Sequence, residues 1–182
     1  LLEQKSIGDV LQVSIECGSY LPDWRPGQNY KKNVSSVKSL GGGVLLELSH
    51  EFDYARWFFG EIETVFAQYN NSSTLGIDVE DQADLLLTTK AGFPISVHID
   101  FNTRYTRRYC TARGTKGDLI WDAVNNQIIL NIVGKAPIVE TENHDRNYIY
   151  VEQIRHFWDC IENNTTPNVS FTDGIKVLQI VD

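Results

Sequence analysis

Leu40-Gly41-Gly42-Gly43-Val44-Leu45-Leu46-Glu47-Leu48-Ser49-His50-Glu51-Phe52-Asp53-Tyr54-Ala55-Arg56-Trp57-Phe58-Phe59-Gly60 is the stretch where the chain changes its period. Past the glycine triplet, Leu46, His50, Asp53 or Tyr54, and Trp57 fall on one helical face, and Gly60 supplies the residue type that ends a helix. This predicts one helix from about residue 44 to Gly60. On both sides the period is two. Upstream, Leu11, Val13, Ile15 and Cys17 alternate with Gln12, Ser14 and Glu16, which predicts a half-buried strand over Asp9–Cys17. Tyr20-Leu21-Pro22-Asp23-Trp24-Arg25-Pro26-Gly27 cannot extend it, because proline removes ladder donors, so a long loop should run to about Ser39.

Downstream, Ile62–Tyr69 alternates, and Ile95, Val97, Ile99 and Phe101 alternate strictly with Ser96, His98 and Asp100. Arg108–Arg113, Asp118–Trp121 and Gln127–Ile132 read as shorter strands, the first two joined by a turn at Gly114-Thr115-Lys116-Gly117. Helical spacing returns over Tyr148–Glu162 through Val151, Ile154, Phe157, Trp158 and Ile161; a last helix starts near Thr172, capped by Ser170 or Thr172. Strands joined by short turns pair antiparallel. The order therefore predicts an α+β fold, an open, mainly antiparallel sheet with helices packed on one face. Trp57, Trp121 and Trp158 are expected in the core and Glu51 on the solvated side.

Composition narrows the function classes. With 24 acidic against 16 basic residues the net charge is −8, which repels phosphate backbones, so no nucleic acid is expected as partner. No apolar run approaches the ~18 residues of a membrane span. Cys17, Cys110 and Cys160 are odd in number and unpaired in spacing, which argues against a disulfide framework and for a reducing, cytoplasmic setting. No cluster shows metal-ligand spacing, so no metal is expected. Gly41-Gly42-Gly43 neither follows a strand nor matches G-x-G-x-x-G, so tight dinucleotide binding is not expected of these residues. The abrupt opening on Leu1-Leu2 and the ending inside an apolar helical pattern suggest one domain of a longer protein, spanning 1–182.

The Leu40–Gly60 segment resembles the signature of the Gfo/Idh/MocA oxidoreductases, a glycine triplet leading into a helix with a His, an Asp three residues later, an aromatic and a Gly. Tyr20–Tyr30 and the stretch from His98 through Arg104, Arg107, Arg108 and Gly114–Asp122 are similar to the same family. The resemblance implies that 1–182 is the substrate-binding and oligomerisation domain. It further implies a nucleotide-binding Rossmann domain elsewhere in the protein that carries NAD or NADP and a catalytic lysine, and a homo-oligomer built through the sheet face. The implied activity is oxidation or reduction of a hydroxyl or carbonyl on a sugar, sugar acid or sugar nucleotide. His50 stands where the family's proton-handling histidine stands. Leu46 departs from the pattern, since an Asp is usual four residues before that His.

The chemistry asks for such residues independently. Oxidising an alcohol removes a hydride from carbon and a proton from oxygen, and an imidazole titrates where that proton can be moved. An orienting carboxylate completes the unit, with Asp53 and Glu47, three residues to either side of His50, as candidates. Trp24, Arg25, Tyr30, Lys31 and Arg104 are candidates for substrate contacts, as aromatic faces suit sugars and guanidinium groups suit carboxylate or phosphate. Arg107 and Arg108 stand open between anion binding and cross-strand ion pairs. His98 and Asp100 are expected on a solvent- or interface-facing sheet surface, and His144 and His156 show no partner pattern. Two alternatives stay open: a non-catalytic sensor or assembly module on the same fold, and a domain whose main purpose is sheet-mediated oligomerisation.

Overall fold

The structure is a computed structural model that describes residues 1–143, 145 and 147–182. His144 lies outside the described residues. Eight strands form one sheet: β1 Val10–Gly18, β2 Ile62–Asn70, β3 Gln82–Thr89, β4 Pro94–Asp100, β5 Arg107–Gly114, β6 Gly117–Asp122, β7 Gln127–Ile132 and β8 Ile138–Thr141. Their spatial order is β2-β3-β4-β1-β5-β6-β7-β8. Every neighbouring pair is antiparallel except β1 and β4, which run parallel with Val13 opposite Ile95 and Cys17 opposite Ile99. The expected class, an open and mainly antiparallel sheet with helices on one face, is the one observed.

One sheet face is dry. Val13, Ile15, Ala83, Leu85, Leu87, Ile95, Val97, Ile99, Cys110 and Ala112 are buried there against Val44, Leu45, Leu48, Phe52 and Ala55, and burial of such a face drives folding. Two strands, β3 and β8, have no counterpart in the sequence expectations. In β3 the run Leu85-Leu86-Leu87 hides the alternation: Leu85 and Leu87 point inward while Leu86 points out. β8 is a four-residue edge strand, exposed throughout, too short to show a period.

The expected helix from residue 44 to Gly60 is two helices, α1 Val44–Glu47 and α2 His50–Phe59. Leu48, at φ −102° and ψ 22°, interrupts the ladder, and Ser49 N–H turns back to the Leu46 carbonyl. In α2 after the break, Glu51, Phe52, Tyr54, Ala55, Arg56 and Phe59 are buried, while His50 and Trp57 are exposed. Gly60 ends α2 at φ 90°. The triplet has a packing reason: a Cβ on Gly43 would lie 2.1 Å from the Glu80 carboxylate, and one on Gly42 would lie 2.3 Å from the Val34 carbonyl. Glu80 sits on the start of α1, its main-chain carbonyl accepting from Val44 N–H and its Oε1 from Leu45 N–H.

α4 Phe171–Val181 begins with a capping box, as Ser170 Oγ and the Asp173 carboxylate satisfy each other's backbone N–H groups. Arg56 ties α4 to the end of α2 through Asp173 and Glu61. α3 Tyr148–Asn163 departs from expectation: Val151, Ile154, Phe157, Trp158 and Ile161 are exposed, and only Cys160 is buried. Trp158 and Trp57 are therefore surface residues. Trp121 is half-buried and meets Tyr54 edge to face at 5.2 Å. His156 does have a partner, the Asn168 N–H at 3.1 Å, which holds the loop after α3.

Candidate functional site

The C-terminal end of β1 brings three things together: the start of α2, the start of β5 and the loop after Gly18. Glu51 is the centre. Its side chain is 0% exposed, which corrects the expectation of a solvated charge. A buried carboxylate needs partners, and Glu51 Oε1 has two: Arg108 Nε at 2.8 Å and His50 Nε2 at 3.2 Å. Burial pushes its pKa up, yet the hydrogen bonds from His50 and the Arg108 charge prevail and hold it below the usual carboxylate range. Oε2 and the Tyr54 hydroxyl are both buried without a hydrogen bond among the described residues. Burial and the Glu51 charge push the Tyr54 hydroxyl up, so it stays protonated.

His50 keeps 49% of its side chain open to solvent. It therefore pairs with a buried anion on one side and remains reachable on the other, the arrangement a proton carrier needs. Asp53 and Glu47, the carboxylates expected to orient it, are half-buried and make no side-chain hydrogen bond or ion pair among the described residues. The partner beside His50 is its own sequence neighbour. Helical spacing does not flag it, because adjacent residues on a helix point 100° apart; only the turn of α2 set by the break at Leu48 brings Glu51 inward.

Cys17, His50 and Glu51 offer donor atoms within 4.8 Å of one another, a ligand set that no sequence spacing signals. Two features weigh against an ion among them. Burial and the Glu51 charge push the Cys17 thiol up to about 12, and the Arg108 guanidinium already occupies Glu51 Oε1. At the helix start behind the glycine triplet, the N–H groups of Val44 and Leu45 are already taken by Glu80.

Beyond Gly18 a cavity of about 480 Å³ is lined by Ser19, Tyr20, Asp23, Trp24, Arg25, Arg104 and Thr106. The loop that lines it is anchored on the end of β4. Ser19 N–H and Leu21 N–H donate to the Asp100 and Phe101 carbonyls, so the loop prolongs the β1–β4 pairing. Asp100 is buried, a correction to its expected place on an open surface, and it accepts from the backbone N–H of Asn102 and Thr103, each at 2.6 Å, and from Thr103 Oγ1. That turn projects Arg104 over the Tyr20 ring, 3.5 Å from its centroid. Trp24 is pinned by Phe101, edge to face at 5.4 Å, and by its indole N–H to Ser19 Oγ at 2.7 Å.

Thus Trp24, Arg25 and Arg104 meet in one cavity. Tyr30 and Lys31 do not join them: Tyr30 donates its hydroxyl to the Leu75 carbonyl at 2.9 Å, and Lys31 leans over the Tyr30 ring. Arg107 pairs with Glu16 at 3.2 Å and Arg108 with Glu51, so both are cross-element ion pairs. His98 sits between Asp84 at 2.7 Å and Asp100 at 3.3 Å; mainly the Asp100 hydrogen bond, with Asp84 in support, raises it to about 9.

The glycine-led start of α1, the His on α2 and the parallel β1–β4 pair inside an antiparallel sheet recur in a known family. A family model for the GFO/IDH/MocA C-terminal domain matches residues 1–120, and the chain belongs to that family. Comparison with curated protein sequences returned no match. Among solved structures, a levoglucosan dehydrogenase in complex with NADH superposes with a TM-score of 0.86 at 19% identity, over 100% of this chain and 57% of that one. An aldose-aldose oxidoreductase from Caulobacter crescentus complexed with glycerol gives a TM-score of 0.83 at 22% identity, over 100% of this chain and 54% of that one. The chain thus spans little more than half the length of these structures, and at such identities the likeness is one of fold.

Proposed function

We propose that this chain is the substrate domain of an NAD- or NADP-dependent oxidoreductase acting on a hydroxyl or carbonyl of a sugar, sugar acid or sugar nucleotide, active only when joined to a nucleotide-binding Rossmann domain. The observation that carries this is His50, half-open to solvent and held from behind by the fully buried Glu51. The nicotinamide, when bound by the other domain, supplies or accepts the hydride; His50 carries the hydroxyl proton. Glu51, locked by Arg108, fixes the ring and balances the imidazolium that forms. Asp53 and Glu47 flank this pair on α2 and α1 but make no side-chain bond to it, which leaves the orienting role to Glu51.

Two apolar surfaces support a covering domain. One is the exposed face of α3; the other is a cavity of about 430 Å³ lined by Leu1, Leu2, Trp57, Phe58, Cys110 and Trp121, among others. The sheet face opposite the helices carries Phe66 and Leu86 exposed side by side in register, which supports a homo-oligomer through that face. Three free cysteines and no helix among the described residues long and apolar enough to cross a membrane support a cytoplasmic setting.

In the protein joined to its nucleotide-binding domain, His50→Ala should lower turnover by about a hundredfold or more and leave NAD(P) affinity unchanged. Unchanged turnover discards the role of His50. Leu46, in place of the family's usual carboxylate, favours the second reading of a non-catalytic sensor or assembly module, and an unaltered joined protein with no turnover would leave that reading standing.

A further inference from the structure

The chain is acidic, and five of its seven described arginines are taken. Arg56, Arg107, Arg108, Arg113 and Arg155 each hold a carboxylate or amide acceptor. Of the described arginines, only Arg25 and Arg104 hold none, and both line the cavity beyond Gly18. In a protein of net charge −8, two arginines left without acid partners and lining one cavity form a site short of an anion.

The surroundings favour a charged sugar over a bare ion. Arg104 holds its guanidinium carbon 3.5 Å from the centroid of the Tyr20 ring, a contact that uses no hydrogen-bond acceptor and so leaves its N–H groups to a carboxylate or phosphate. Trp24 presents a fixed aromatic wall for an apolar sugar face, and Ser19 and Thr106 add hydroxyls. Asp23 shares the cavity and leaves the lining one positive charge in excess.

The cavity also lies within a substrate's length of the Glu51 cluster. Ser19 is two residues beyond Cys17, and Thr106 two before Arg108, which at about 3.4 Å per extended residue is roughly 7 Å. We infer that Arg25 and Arg104 form an anion subsite that selects sugars bearing a carboxylate or a phosphate. The inference rests on the sugar reading above and removes neutral sugars from it.

The test is calorimetric titration of this chain with glucuronate, glucose 1-phosphate, glucose and inorganic phosphate, with no turnover involved. At least one charged sugar should bind about tenfold or more tightly than glucose, with affinity falling as salt rises. The stronger of the two identifies the anionic group. Arg25→Gln and Arg104→Gln, with near-ultraviolet circular dichroism confirming the fold, should each erase most of that preference, and Asp23→Asn should widen it. Equal affinity for charged and neutral sugars, a preference that survives both arginine changes, inorganic phosphate binding as tightly as glucose 1-phosphate, or no binding by any of them overturns the inference. His50→Ala should leave the preference intact. A failed redox role and a failed anion subsite are therefore read out separately.

Discussion

A carboxylate taken out of water must find its compensation inside the protein, and Glu51 finds it in Arg108 and His50. Removing the guanidinium leaves a buried charge with one partner, so Arg108→Met should cost about 3 kcal/mol of unfolding free energy in urea. Glu51→Gln made in the Arg108→Met background should recover most of that loss. A double change that costs the sum of the two singles would show that the pair is not coupled. His98 makes a different kind of demand. Its protonated form is favoured in the folded state, at about 9 against an ordinary 6.5. Its contribution to stability is therefore fully present below about pH 6.5 and lost as pH rises through about 9. Melting temperature should decline across that window, and His98→Gln should flatten the decline. An identical slope in the variant would remove His98 as the cause.

Among the elements, α2 does most to place the candidate site, and its orientation is set at both ends. At the start, the break at Leu48 swings Glu51 inward and leaves His50 at the rim. At the end, Arg56 clamps α2 to α4 through the Asp173 carbonyl and carboxylate and through Glu61, which Lys176 also holds at 2.7 Å. Asp173 is held down to about 2, mainly by the Ser170 hydroxyl and backbone with Arg56 in support, so the clamp stays charged through the physiological range. Arg56→Ala should lower stability by about 2 kcal/mol. Since an ordinary surface change costs within about 0.5 kcal/mol, a loss that small would mean that α2 and α4 are held by apolar contacts alone.

At the scale of the whole molecule, α3 stands apart. Its apolar face is exposed here, so a charge placed on it costs this chain little. Ile154→Glu should leave the stability of the chain within about 0.5 kcal/mol. The same change should weaken association with a separately produced nucleotide-binding domain by about tenfold or more, measured by titration in trans, if that face is where the domain docks. Unaltered association would place the contact elsewhere.

The amino-acid sequence by itself determined the class of fold and the family. Alternation in β1, β4, β5, β6 and β7, the capping signal at Ser170 and the glycine-led segment are local patterns, each set by residues close together in the chain. β3 stayed hidden because a fully apolar triplet has no visible period, and Trp158 was misplaced because periodicity shows which side of a helix is apolar, not what covers it. The pairing of Glu51 with His50 and Arg108, the parallel contact of β1 with β4, and the meeting of Arg25 with Arg104 were decided only by the tertiary structure. These arise between residues up to 80 or so positions apart, or turn on a two-residue helix break at Leu48 and Ser49, and burial converts such contacts from optional to obligatory because a charge cut off from water has to be paired.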